Sequence, residues 1–241
     1  MNIILLHEDD FISPTCVRLS DHRLTHILKV IRAKEGDTLK VGRLNGKLGS
    51  GLIEQLDSDS CQLAVTLEQA PPPATPITLV LALSRPKMMR RIYRMAAEFG
   101  LKELYVINSY KTEKSFWQSP VVEADTVHRY LLEGLEQCVD TVLPTVHFKP
   151  RFKPFVEDEL PAIATGKRAL VAHPGDHAPC PIAVKEPMIL AIGPEGGFIP
   201  YEVDKLVEAG FETVSLGPRI LRVENAVSTL TARLYDGACD R

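Results

Sequence analysis

Two loops near the C-terminus carry the residues best suited to hold a ligand. The first, residues 193–197 (GPEGG), directly follows the apolar run 189–192. Glycines permit positive φ and let backbone groups approach a ligand closely, as a nucleotide-like ligand requires. A tight strand-to-helix turn, with Pro200 opening the helix, is the alternative. The loop matches neither the GxGxxG fingerprint nor the P-loop pattern, so dinucleotide and P-loop sites lack their motifs.

The second loop, residues 217–222 (GPRILR), follows the apolar run 213–216 and leads into a predicted helix. Two glycine-proline strand exits so close together favour two walls of one pocket. Arg219 and Arg222 suit phosphate groups, because a guanidinium pairs well with phosphate oxygens. The polar residues that follow, Glu224 and Asn225, either bind a ligand or cap the helix backbone.

A helix predicted over residues 87–99 separates an apolar stripe from a basic face. The stripe consists of Met88, Ile92, Met95 and Phe99. Basic residues on and around the helix form a local cationic surface: Arg85, Lys87, Arg90, Arg91, Arg94, Lys111 and Lys114. Such a surface would bind RNA phosphates with strong salt dependence. A merely solvated helix face is the alternative.

Aromatic residues interleave with the last two of these lysines. They are Tyr110, Phe116 and Trp117, which could stack an unpaired base. Packing of the same rings into the core is the alternative.

The histidines and cysteines indicate neither a metal site nor a disulfide scaffold. His22 and His26 have a spacing that can bind zinc, but a third ligand is not evident. A second group, His173, His177 and Cys180, lies among prolines that favour a rigid loop. The cysteines are odd in number and never form CxxC, which favours a reducing cytoplasm: Cys16, Cys61, Cys138, Cys180 and Cys239. We therefore expect no metal.

The composition excludes several classes of protein. With 241 residues, 45% of them hydrophobic, the chain is too apolar to be disordered. A net charge of −3 excludes nucleic-acid binding by bulk positive charge, so an RNA site must be a local patch. The first residues lack a basic signal region, and no apolar run approaches the roughly 18 residues that span a bilayer. We expect a cytoplasmic protein with no membrane segment.

Prolines divide the chain into two parts. Residues 71–76 contain four prolines and predict a stiff linker between a domain over residues 1–70 and another over 77–241. The first part predicts strands over 37–42, 47–55 and 61–68 and a helix over 21–32 with Ser20 as its N-cap. The second alternates apolar runs with amphipathic helices, which predicts an α/β domain with a mainly parallel sheet.

At the two loops the sequence resembles a known family. IGPEGGF followed by LGPRILR-x-E-x-A is similar to the signature of the RsmE family, SPOUT-class methyltransferases that modify N3 of a uridine in small-subunit (16S) ribosomal RNA. The resemblance implies an N-terminal PUA-like β-barrel and a C-terminal SPOUT α/β domain with a deep trefoil knot. It also implies S-adenosyl-L-methionine as cofactor, a homodimer, and ribosomal RNA or the small subunit as partner.

The family's functional positions carry over residue by residue. The implied cofactor-binding residues are Val171, Ala172, His173, Gly193, Pro194, Glu195, Gly196, Gly197, Leu216, Gly217, Ile220, Leu221, Arg222, Asn225 and Ala226. In the leading domain, the segment 22–32 resembles an RNA-holding element, with Lys29 and Arg32 as the contacts. Arg222 is the candidate electrostatic stabiliser of the reaction, and Glu195 is the candidate for proton handling.

The sequence departs from the family pattern at the second loop. Where relatives have LRTETA, this chain has Val223 and Asn225 in place of both threonines. Two alternatives therefore stay open: a related RNA methyltransferase with another target base, and an RNA-binding paralogue that has lost catalysis.

Overall fold

A computed structural model describes residues 2–235. Met1 and residues 236–241, and with them Cys239, lie outside the described part. The chain forms two compact units, Met1–Pro73 with Leu132–Leu143, and Ala74–Leu131 with Pro144–Arg241.

The first unit is built on a six-stranded sheet that curls into a half-barrel. Its spatial order is β1-β4-β5-β6-β3-β2, and every neighbouring pair is antiparallel except β1 with β4. The strands are β1 (Ile4–Leu6), β2 (Phe11–Ser13), β3 (Cys16–Leu19), β4 (Thr38–Arg43), β5 (Leu48–Leu56) and β6 (Cys61–Gln69). The three predicted strands are confirmed as β4, β5 and β6. The first three strands were not predicted, because three or four residues show too little alternation.

The predicted helix over 21–32 is only partly correct. The chain forms α1 (His22–His26) and then a π-helical turn (Ile27–Ile31) that ends where Arg32 takes a φ of 59°. Ser20 as N-cap is wrong. Asp21 occupies that position, because its carboxylate accepts the backbone N–H of Arg23 at 2.9 Å and is also held by the Arg23 guanidinium.

Arg23 is a buried charged residue of this unit, at 4% exposure. Its guanidinium pairs with Asp10 at 2.6 Å and Asp21 at 2.8 Å, and it donates to the carbonyl of Leu5 at 2.7 Å. Burial alone would lower the pKa of Arg23, but the hydrogen bonds that its guanidinium donates to both carboxylates outweigh burial and raise it. The charge therefore stays, and it ties strand β1 to the helix start.

The second unit contains a seven-stranded sheet in which every pairing is parallel. Its spatial order is β11-β13-β10-β12-β7-β8-β9. The strands are β7 (Thr75–Ala82), β8 (Leu101–Ile107), β9 (Thr145–Lys149), β10 (Arg168–Ala172), β11 (Ala178–Pro179), β12 (Met188–Ile192) and β13 (Glu212–Ser215). The predicted α/β organisation is confirmed.

Helices connect these strands. They are α2 (Pro86–Glu98), α3 (Ala124–Cys138), α4 (Phe152–Pro154), α5 (Leu160–Ala164), α6 (Pro200–Glu208) and α7 (Val223–Leu234). A π-helical turn (Phe155–Glu159) joins α4 to α5, and short 3-10 turns cover Glu8–Asp10, Lys114–Gln118 and Pro120–Val122. No helix within residues 2–235 combines the length and apolarity needed to cross a membrane.

The inward face of α2 differs from the predicted stripe. The buried residues are Met89, Ile92, Tyr93, Ala96 and Ala97, whereas Met88, Met95 and Phe99 are only half-buried. Buried Tyr93 lies at the centre of that face and donates its hydroxyl to the carbonyl of Val121 at 2.8 Å. The predicted stripe shares only Ile92 with this face, because it left out Met89 and Tyr93 as well as the two small alanines.

Candidate functional site

Three neighbouring strands end at one edge of the parallel sheet and form a cavity there. Ala172 of β10 lies in register with Ile192 of β12 and with Val214 of β13. Because all three strands run the same way, the loops that leave them meet outside their carboxyl ends, where open α/β sheets bind ligands. The cavity and the open solvent at its mouth together span about 630 Å³ of empty space.

Most of the expected cofactor residues line this cavity: Ala172, His173, Gly193, Pro194, Glu195, Gly197, Leu216, Gly217, Ile220, Leu221 and Ala226. Four others lie beside it. Val171 is buried within β10, Gly196 is an exposed loop residue, Arg222 is the exposed N-cap of α7, and Asn225 is exposed in its first turn.

Further lining residues were not among the expected cofactor-binding residues. They are Pro174, Ile192, Val214, Ser215, Arg219, Val223 and Leu230. Val223, Ala226 and Leu230 share one face of α7 at helical spacing. Helical periodicity could therefore have identified Val223 and Leu230 from the sequence, in addition to Ala226, which was expected. Arg219 was expected to suit phosphate but was not assigned to the pocket.

The first loop needs its glycines. A Cβ on Gly193 would lie 2.8 Å from the backbone nitrogen of Phe198, so a larger residue would force the backbone apart. Gly197 has a φ of +68°, which L-residues rarely adopt, and its N–H donates to the carbonyl of Pro194 at 2.7 Å. The loop is therefore a closed turn at the cavity wall.

Glu195 has a structural partner outside the loop. Its Oε1 accepts the backbone N–H of Arg85 at 3.0 Å. Arg85 is the N-cap residue of α2, and Pro86, which follows, has no N–H to offer. The carboxylate thus holds the start of the basic helix next to the cavity.

His173 brings an unsatisfied nitrogen to the cavity. Its Nδ1 is buried and has no hydrogen-bond partner among the described residues. Its backbone N–H donates to the carbonyl of Val214 at 3.0 Å, and its ring meets that of His177 edge-on at 5.6 Å. Burial lowers the pKa of His173, and repulsion from His177 and Lys111 lowers it further, so the imidazole is neutral at pH 7.

The expected RNA-binding residues fall into two groups. Arg85, Lys87, Arg90 and Lys114 are exposed, as are Lys29 and Arg32 in the first unit. Arg91 and Lys111 are exposed as well but have partners in the protein, as does half-buried Arg94. The Arg94 guanidinium lies 4.4 Å from the ring centroid of Tyr130, Arg91 lies 3.7 Å from the buried carboxylate of Glu224, and Lys111 donates to the Gly196 carbonyl.

The three aromatic residues differ in how far they are available for base stacking. Tyr110 is 79% exposed. Trp117 is half-buried, donates its indole N–H to Asn108 at 2.8 Å and packs edge-on against Phe148. Phe116 is also half-buried. Tyr110 is therefore the aromatic residue best placed to stack a base.

Metal-ligating side chains are scattered over the described residues. Across positions 2–235, no three His, Cys, Asp or Glu side chains gather as a metal site would require. Among the described residues, Cys16, Cys61, Cys138 and Cys180 form no disulfide.

Comparison with protein families gives one match over most of the chain. The model of a family described as "RNA methyltransferase domain" matches residues 71–235. Ribosomal RNA small subunit methyltransferase E of Treponema pallidum is 28% identical, over 96% of this chain and 90% of the relative. The protein of the same name from Synechocystis is 27% identical, over 90% of this chain and 72% of the relative.

Solved structures agree in fold. A probable rRNA-methyltransferase from Porphyromonas gingivalis superposes with a TM-score of 0.72 at 25% identity, covering 95% of this chain and 98% of that one. Ribosomal RNA small subunit methyltransferase E from Neisseria gonorrhoeae, bound to S-adenosyl methionine, gives a TM-score of 0.75 at 20% identity, covering 95% and 96%. At 20% identity, the second likeness shows the fold alone.

The Glu195 contact predicts a measurable effect on stability. Glu195→Ala should lower the free energy of unfolding by about 1 kcal/mol, the usual cost of losing a helix cap, as measured by urea unfolding. Asp204→Ala, an exposed carboxylate in α6, should change it by less than half as much. Equal stability of Glu195→Ala and the unchanged protein would show that the cap contributes nothing.

Proposed function

The chain belongs to the RNA methyltransferase family whose domain spans residues 71–235, and on that premise we propose its reaction. The chain transfers a methyl group from S-adenosylmethionine to N3 of a uridine in small-subunit (16S) ribosomal RNA. The observation that carries this proposal is the glycine-lined cavity at the ends of β10, β12 and β13. The match to ribosomal RNA small subunit methyltransferases E along nearly the whole chain supports it.

The finer fold is part of the proposal. The curled sheet of the first unit supports a PUA-like RNA-binding barrel over residues 1–70, followed by a linker over 71–76. The parallel sheet of the second unit supports a SPOUT domain over residues 77–241 with a trefoil knot. The active form is a homodimer in the cytoplasm.

The residues of the cavity fit S-adenosylmethionine. Apolar side chains of Ile192, Leu216 and Val223 suit the adenine ring, and the glycine backbone lets a ligand approach closely. The unpartnered Nδ1 of His173 offers a hydrogen bond that the protein itself leaves unused. When bound, the cofactor supplies an electrophilic methyl group on a positively charged sulfur. A neutral His173 does not repel that charge.

The protein must also manage the proton of uracil N3. Arg222 lies at the start of α7 beside the cavity, where its positive charge stabilises the uracil anion. Glu195 lines the cavity and handles the N3 proton, while its Oε1 keeps the N–H of Arg85. Alignment of the reacting atoms supplies the remaining catalysis.

RNA contacts come from the cationic surface. Lys87, Arg90 and Lys114 are exposed and bind phosphates, together with Lys29 and Arg32 of the first unit. Arg85, Arg91, Arg94 and Lys111 add positive charge to the same surface, and the side chains of Arg91, Arg94 and Lys111 keep their partners in the protein. Exposed Tyr110 stacks the target base once it leaves its helix.

Mass spectrometry of nucleosides tests the reaction. Small-subunit ribosomal RNA from a strain lacking the gene should lack one N3-methyluridine, and the intact gene should restore it. Purified Arg222→Ala should transfer methyl about a hundredfold more slowly, because it loses the charge opposite the developing anion. Arg151→Ala, an exposed arginine outside the cavity, should match the unchanged enzyme. An N3-methyluridine that persists without the gene would contradict the proposal.

The lowered pKa of His173 predicts a pH dependence of cofactor affinity. Neutral His173 is compatible with the sulfonium, so affinity should be highest at neutral and alkaline pH and should fall as acid protonates the imidazole below the ordinary histidine pKa of 6.5. Calorimetry with S-adenosylmethionine measures this fall.

Two variants test whether the His173 imidazole causes this pH dependence of cofactor affinity. His173→Asn should remove the pH dependence, whereas His177→Asn should keep it. A fall of the same size in His173→Asn would mean that another group titrates.

A further inference from the structure

The peptide unit between Gly196 and Gly197 is held at both of its polar ends. Its N–H, on Gly197, donates to the Pro194 carbonyl at 2.7 Å, and its C=O, on Gly196, accepts from Nζ of Lys111 at 2.6 Å. The lysine stem covers Gly196 so closely that a methyl group there would approach its Cδ at 2.7 Å. This peptide therefore accepts a charged hydrogen bond from a side chain 85 residues away in the sequence.

Such a contact matters because the peptide joins two glycines. Without side chains, both residues adopt left-handed and right-handed backbone conformations with little penalty, so a peptide between them flips easily. A flip would point the Gly197 N–H away from Pro194 and change which polar groups face the cavity. A charge-assisted bond on the carbonyl opposes this flip.

Glu202 fixes the segment from which Lys111 extends. The Glu202 carboxylate is 2% exposed and accepts three hydrogen bonds. One comes from Ile199 at 3.0 Å, at the start of its own helix, which is an ordinary helix cap. The other two come from the Ser109 hydroxyl at 3.1 Å and the Tyr110 N–H at 2.7 Å, more than ninety residues away.

The segment 109–112 is anchored at its other end as well. The Thr112 hydroxyl donates to the carbonyl of Leu83, just after β7, at 3.1 Å, and its N–H closes a turn on Ser109. Lys111 thus extends from a short turn that is pinned on both sides. On a mobile loop, the conformational entropy lost in ordering the lysine would offset much of the free energy of its hydrogen bond. The fixed turn reduces this entropy cost.

We propose that Lys111 and Glu202 form a latch that holds the Gly196–Gly197 peptide in the cofactor-binding orientation. Glu202 is a positioning residue that acts through Lys111. The inference deepens the proposed function, on which it rests, by assigning Lys111 first to the cofactor loop and only second to RNA.

Amide hydrogen exchange tests the latch in the ligand-free protein. Lys111→Met keeps most of the stem and removes the ammonium, so the Gly197 amide should exchange about tenfold faster than in the unchanged protein. Glu202→Gln replaces one acceptor oxygen by a donor and should speed the Gly197 and Tyr110 amides alike. Amides of β12, such as that of Leu190, serve as the reference and should not change. If the Gly197 amide exchanged as slowly in both variants as in the unchanged protein, the latch proposal would be overturned.

Cofactor affinity provides the second readout, by calorimetry with S-adenosylmethionine. Each variant should raise the Kd about tenfold, Lys111→Arg should restore most of the affinity, and the double variant should bind no worse than the weaker single one, because both changes release one peptide. Glu208→Gln, an exposed carboxylate on the same helix, should stay within twofold.

Two results separate failure of the latch from failure of the proposed function. Effects of Lys111→Met and Glu202→Gln that multiply in the double variant would overturn the latch, since the residues would then act independently. Because Lys111 is exposed, Lys111→Met should fold, and it tests the latch even if Glu202→Gln fails to fold. If the unchanged protein bound no S-adenosylmethionine, the proposed function would fail, and the exchange of Gly197 would still decide whether the latch exists.

Discussion

The site depends on one geometric constraint: β10, β12 and β13 are parallel neighbours that end at one edge of the sheet. The strand register places Ala172 beside both Ile192 and Val214, so the loops that follow these residues lie next to one another. The cavity arises where the three exits meet, and α7 closes it with an apolar face. The first loop requires glycine at two positions, because Gly193 packs against backbone and Gly197 needs a positive φ.

Polar side chains in and around the loops stabilise this edge of the sheet. Glu195 joins the first loop to the start of α2, and Lys111 joins the same loop to the turn after β8. Buried Glu202 connects that turn to the start of α6. These contacts place residues of the cationic surface directly against the cofactor loop. In the proposed function, RNA binding and cofactor binding therefore share structural elements within the second unit.

The sequence predicted the long elements and both loops, because alternation, helical periodicity and glycine-proline exits are local signals. It missed what depends on distant partners. Arg23 gave no local sign of its burial between two aspartates, and Glu202 gave none of its bonds to Ser109 and Tyr110. The N-cap prediction failed by one residue at Ser20, because a second interaction favoured Asp21. In each case, a partner from another segment or a second contact determined the outcome.

Amide hydrogen exchange with and without saturating S-adenosylmethionine tests the central claim most directly. That claim is that three strand exits form one cofactor site. The account predicts slower exchange in all three segments together, residues 172–174, 193–197 and 215–221, with the strands of the first unit unchanged. Protection of only one segment, or protection confined to the first unit, would contradict it.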